Sequence, residues 1–153
     1  MDWLTDLFRN PFLIASLSSW AVAQILKTII HYFMYKKLEL ERLFGDGGMP
    51  SGHSATVTAL AMMSALVYGT DSFQFAIALI LAIIVTHDAT GVRLETGKQA
   101  VVINELTRMY SILTSRELPE TKLKEFVGHT PVQVAAGVLL GILNSLIVYH
   151  LLF

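Results

Sequence analysis

Residues 73–90 read FQFAIALILAIIVTHDAT, a stretch with no Asp, Glu, Lys or Arg before Asp88. Crossing the hydrocarbon core of a bilayer takes about 20 predominantly apolar residues in a helix, because backbone polar groups in lipid have to be bonded within the segment. The run therefore reads as a spanning helix with an ionisable group near its exit. The preceding Gly69-Thr70-Asp71-Ser72 is too short for anything but a tight turn, so the apolar run Ser51–Tyr68 before it forms an antiparallel hairpin with 73–90. Further out, Pro11–Tyr35 and Pro131–Phe153 have the same character. Thr130-Pro131 is a helix start, with Thr as N-cap and proline in the first turn. Gly137 and Gly141 follow at the Gly-x-x-x-Gly spacing that lets helices approach closely.

Between the third and fourth runs the pattern changes. Arg93, Glu95, Lys98, Glu105 and Arg108 interrupt it, while Val101, Val102, Leu106, Met109, Ile112 and Leu113 recur at near-helical spacing. This predicts an amphipathic or partly inserted helix. The polar stretch 115–126, which contains Pro119, predicts a loop with a short helix. Of 153 residues, 54% are hydrophobic and 15% charged, a balance outside that of a soluble domain this small. The expectation is one all-α integral membrane domain over residues 1–153, a bundle of about four spanning helices plus the amphipathic segment.

The absence of cysteine removes disulfides and thiolate metal sites, and a formal net charge of -1 excludes a strongly basic nucleic-acid binder. Met1–Asn10 has Asp2 and Asp6 ahead of the apolar run and no basic n-region, so it does not read as a removable signal peptide. With four spans, residues 36–50 and 90–128 share one membrane face. That face holds Lys36, Lys37, Arg42, Arg93, Lys98, Arg108, Arg116, Lys122 and Lys124; Arg9 lies opposite and Lys27 inside the first span. The cation excess marks this face as cytoplasmic, and the plasma membrane is the expected location.

Chemistry-bearing residues gather on the same face. Gly45-Asp46-Gly47-Gly48-Met49-Pro50-Ser51-Gly52-His53-Ser54 leads into the second span. Glycines there let backbone amides converge, and a helix N-terminus offers unpaired N–H groups and a partial positive charge, the makings of a phosphate cradle at Ser51 and Gly52. Gly128-His129-Thr130-Pro131 puts a second histidine at the start of the fourth span. Two histidines beside two helix starts suit a pair in which one attacks phosphorus and the other protonates the leaving oxygen. At the exit of the third span, Asp88 is an ionisable group at a costly depth. It reads either as the ion-pair partner of Arg93, with Lys98 snorkelling to the interface, or as part of a site in which Arg93 and Lys98 clamp phosphoryl oxygens. Lys27, one turn after Gln24, either snorkels or reaches the same pocket.

Pro50-Ser51-Gly52-His53 resembles the second signature of the type 2 phosphatidic acid phosphatase and vanadium haloperoxidase superfamily. Gly-Gly-Met-Pro-Ser-Gly-His-Ser at 47–54, Asp88-Ala-x-Gly-Val-Arg93 followed by Gly-Lys-Gln-Ala at 97–100, and Gly-His-Thr-Pro at 128–131 together look like the divergent, small bacterial and plant branch of that superfamily. The resemblance runs from Ala23 to Gly141. It implies that His129 attacks to form a phosphohistidine and that His53 is the general acid. The chain departs from the superfamily pattern at Met34-Tyr35, where an Arg-Pro follows the first-motif lysine, at Lys122-Leu123, where the third motif has Ser-Arg, and at Gln133, where it has Asp. Asp88 or Glu125 is then the carboxylate left to orient a histidine, and Arg93 and Lys98 replace the missing arginines.

The expected function is a membrane-embedded phosphatase or phosphotransferase acting on a lipid phosphate or pyrophosphate. Its residues are His53, His129 and Asp88, with Lys27, Ser51, Gly52, Arg93 and Lys98 on the phosphate and no metal required. One rival is a phosphotransferase in which Asp46, Asp88 and Glu95 hold Mg²⁺ through oxygen ligands. The other is a non-catalytic lipid-phosphate binding or scaffolding protein, favoured by Gln133. Expected partners are the lipid substrate and the bilayer, with a homodimer as a way for so small a bundle to enclose a pocket.

Overall fold

The computed structural model of the chain describes residues 3–36, 48–114, 123–125 and 127–153. Among them the secondary structure is entirely helical: α1 Trp3–Phe8, α2 Pro11–Tyr35, α3 Gly52–Tyr68, α4 Phe73–Thr90, α5 Val92–Thr114 and α6 Pro131–Leu152. Four of the long helices, α2, α3, α4 and α6, start where local chemistry satisfies their first N–H groups. The Asn10 side chain accepts from Phe12 and Leu13 N–H ahead of Pro11, Ser51 caps α3, Ser72 caps α4 and Thr130 caps α6. The expected hairpin of α3 and α4 is present, closed by the Gly69–Ser72 turn, where Gly69 has φ +86°.

α3 is the centre of the bundle and packs against α2, α4 and α6. Apart from His53 and Tyr68 at its two ends, none of its side chains is exposed. The interior is built from small residues, including Ala15, Ala23, Ala55, Ala59, Ser19, Ser54 and Ser145, and Met63 is the largest fully buried side chain. Lipid removes the usual hydrophobic drive between helices, so close backbone approach and interhelical hydrogen bonds have to hold them together. Both are present. Gly137 packs on the Ser51 carbonyl, and a Cβ on Gly141 would lie 2.5 Å from the Ala55 carbonyl oxygen. The Ser145 hydroxyl donates to Ala59 O at 3.0 Å, and the Asn144 amide donates to Ser18 Oγ at 2.8 Å and Ser19 Oγ at 2.9 Å, joining α6 to α3 and α2.

Among the described residues, three stretches are long and apolar enough to cross a membrane: Pro11–Met34, Phe73–Thr114 and Pro131–Leu152. The remaining expected span, the second along the chain, is α3; it has 17 residues, about 26 Å of helix against a hydrocarbon core of about 30 Å. Ser51 and Gly69 stop it at either end, and its neighbours rather than lipid cover most of it. The interrupted segment after the third run is one unbroken helix, α5, which follows α4 directly after a break at Gly91. Its apolar residues Val102, Leu106, Met109 and Leu113 are exposed. The short helix expected within 115–126 falls largely on residues outside those described.

Because α6 lies against α3 with no room for a Cβ, Gly137→Ala is expected to destabilise the protein by about 1–3 kcal/mol. Leu139→Ala, on an exposed face of the same helix, is expected to change it much less. Thermal unfolding of the two variants in the same detergent measures the difference.

Candidate active site at the junction of α3, α4 and α6

Ser51 organises the start of α3. Its side-chain oxygen accepts from Ser54 N–H at 3.3 Å and from the Ser54 hydroxyl at 3.0 Å, and its own N–H donates to Gln133 O in the first turn of α6 at 3.0 Å. The two helix starts that carry the histidines are therefore bonded to each other. His53 sits in the first turn of α3, and His129 directly precedes the N-cap of α6.

The second tie places His129 against the end of α4. Its N–H donates to Ala89 O at 2.9 Å, so the chain leading into α6 runs along the α4–α5 break. Two glycines make that approach possible. A Cβ on Gly97 of α5 would lie 2.6 Å from Val127 O and 2.8 Å from Glu125 O, and Gly128, at φ +85°, packs on the backbone of Arg93 and Leu94. Asn104 fastens the same segment further along α5. Its Oδ1 accepts Leu123 N–H at 3.1 Å, and its Nδ2 donates to Leu123 O at 3.0 Å and Glu125 Oε1 at 2.8 Å.

Beside these ties lies an open cavity of about 230 Å³ whose walls include His53, Asp88, Arg93 and His129 together with the apolar Ile84 and Val85. His129 is 4% exposed, and His53 is exposed. Arg93 Nε donates to Asp88 Oδ2 at 2.6 Å, with both side chains about half exposed. The ion-pair reading and the cavity reading of Asp88 and Arg93 thus coexist: one edge of the guanidinium is used by Asp88, and the planar fork has further N–H donors for an anion.

The other expected phosphate contacts lie elsewhere. Ser51 and Gly52 are buried at the head of α3, outside the cavity walls. Lys98 is exposed and bonded to Glu95 at 2.7 Å. Lys27 is 5% exposed, with its aliphatic stem directly beneath Gly48, whose φ is +84°. Glu125 accepts from Asn104, and Asp88 and Glu95 each hold a cation. Asp46, the remaining ligand of the magnesium rival, lies outside the described residues. Among those described, no three His, Asp or Glu side chains gather as metal ligands.

A family model described as the divergent PAP2 family matches residues 8–144. The chain belongs to the divergent PAP2 family. It is also similar to a Bacillus subtilis (strain 168) protein described as "Uncharacterized membrane protein YuiD", 40% identical over 154 residues that cover 95% of this chain and 98% of that one. No solved structure matches the chain. The expected divergent branch and the matched family agree, and the matched stretch contains every wall residue of the cavity named above. This divergent PAP2 protein also uses Asn104, which the motif reading passed over, and it gives Gly97, Gly128 and Gln133, quoted there only as motif positions, packing and hydrogen-bonding roles. Thr130-x-x-Gln133 has the spacing of a capping box and was legible on that ground. Asn104 carries no local signal, because its partners are 19 and 21 residues away.

Replacing Asn104 with Ala removes the fastening of residues 123–125. The expected result is a local loss of about 1 kcal/mol, read as roughly fivefold faster amide hydrogen exchange at Leu123, with exchange in the α3 core unchanged.

Proposed function

We propose that this divergent PAP2 protein cleaves or transfers the phosphoryl group of a lipid phosphate or pyrophosphate by a two-histidine mechanism. The observation that carries the reading is the meeting of His53 and His129 in one cavity with the Arg93 guanidinium. In this scheme His129 attacks phosphorus, and a P–N bond forms as the bond to the leaving oxygen breaks. His53 donates a proton to that oxygen, and Arg93 stabilises the charge on the non-bridging oxygens. Water, or an acceptor hydroxyl in the transfer reaction, gives its proton to His53 and attacks the phosphohistidine, restoring His129. The amides of Gly52 and His53 belong to the first turn of α3, where N–H groups have no intrahelical partner, and they add positive potential at the same end.

A substrate anchored in the bilayer suits the cavity, because its walls combine those polar groups with Ile84 and Val85 of a membrane-spanning helix, and Ile84 is 59% exposed. The cation excess of residues 36–50 and 90–128 supports a cytoplasmic orientation, and the proposal places the protein in the plasma membrane.

The test is phosphate release by the detergent-purified protein from phosphatidic, polyprenyl-phosphate and pyrophosphate lipids, with and without chelator. Release is expected to persist in chelator and to fall by about 10²- to 10⁴-fold in both His53→Ala and His129→Ala. Loss of release in chelator would favour a magnesium-dependent transferase. Absence of release from every lipid by folded protein would leave a non-catalytic lipid-phosphate binder.

A further inference from the structure

The capping box at the head of α6 has a consequence for the histidine beside it. Gln133 N–H approaches Thr130 Oγ1 at 3.4 Å, and Thr130 N–H donates to Gln133 Oε1 at 3.0 Å. A backbone N–H can only donate. The carboxamide atom that faces Thr130 is therefore the carbonyl oxygen, and the flip of this side chain follows from its partner. The same Oε1 lies 3.3 Å from His129 Nδ1. An amide oxygen has two lone pairs and no hydrogen, so it can accept from both neighbours, and a hydrogen bond at that distance requires the hydrogen to sit on Nδ1. In a neutral imidazole the lone pair then belongs to Nε2.

We infer that Gln133 is a positioning residue that holds His129 in its Nδ1–H tautomer. The catalytic meaning rests on the two-histidine reading above: attack on phosphorus uses a ring lone pair, so the tautomer decides that Nε2 forms the P–N bond. Gln133 also accepts Ser51 N–H on its main-chain oxygen. One residue thereby sets the tautomer of His129 and ties its helix to the start of the helix that bears His53. A carboxylate in this place would hold the same tautomer and add a charge favouring imidazolium. The neutral amide directs the proton without that charge.

The first measurement needs no turnover. Protein labelled with ¹⁵N-histidine in detergent micelles, with His129 assigned by the signals lost in His129→Asn, reports which ring nitrogen is protonated when the ring is neutral. A protonated Nδ1 and an unprotonated Nε2 are expected. The reverse pattern, or the tautomer mixture of a free histidine side chain, overturns the inference. Gln133→Leu keeps the Thr130 side-chain half of the cap. It is expected to return His129 to a mixture and to lower kcat for phosphate release at least about tenfold, with less than about a twofold change in KM. Gln133→Glu preserves the acceptor and the box and is expected to keep the Nδ1–H form. An unchanged tautomer in Gln133→Leu also overturns the inference. Absence of phosphate release in the wild type removes the two-histidine reading alone, because the tautomer is read from the spectrum.

Discussion

The close approach of α6 to α3 is the constraint on which the rest of the molecule depends. Gly137 and Gly141 bring the α6 backbone against the Ser51 and Ala55 carbonyls. At that separation Ser51 N–H reaches Gln133 O, and the Ser145 hydroxyl reaches Ala59 O. In water such contacts would supplement hydrophobic burial. In lipid, where an apolar side chain gains little by leaving the hydrocarbon for another helix, dispersion contacts and hydrogen bonds between small residues become the principal attraction. The scarcity of large buried side chains follows from the same physics. A core of Ala, Ser and Gly with one fully buried Met is what allows three helices to close around a fourth that has only 17 residues.

That packing also sets up the candidate site. Two helix starts held within one hydrogen bond of each other present two histidines at the same end of the bundle, and the Gly91 break brings the exit of α4 to them with Asp88 and Arg93. Glu125, Val127 and Gly128 are held against α5 by backbone contacts, since Gly97 and Gly128 leave no side chain between segments. A histidine carried by backbone fastened at Ala89, Asn104 and Ser51 has little freedom to drift. Such rigidity suits the nucleophile role proposed for His129, because misplacement by even about 1 Å can cost two orders of magnitude in rate.

Polar groups inside a membrane protein have to find partners, and here they do so unevenly. Asn144 gathers three acceptors on α2, with Ala15 O beside the two serine hydroxyls. Asp88 and Glu95 each hold the cation three to five residues ahead of them on the chain. Lys98 is paired to Glu95 in its own helix, and Lys27 is packed beneath Gly48, so of the expected cations it is Arg93 that stands in the cavity wall.

The helical architecture and the gathering of histidines at one end were legible in the sequence, because both rest on local rules. Apolar runs of spanning length, Pro-marked helix starts and a four-residue turn fix direction and sidedness without any knowledge of what packs where. The hydrophobic period does not reveal that one run is enclosed by the others. Length and apolarity look alike whether a helix faces lipid or protein, and α3 therefore reads as an ordinary span. Likewise, Gln133 in the sequence is only a residue where the superfamily has Asp, and its carbonyl oxygen meets His129 and Thr130 only once α6 has begun at its cap. Residue types and their order determined which chemistry this protein can attempt. The tertiary structure decided which of those groups share a cavity, since contacts such as Asn104 with Leu123 and Ser51 with Gln133 join residues that no local period relates.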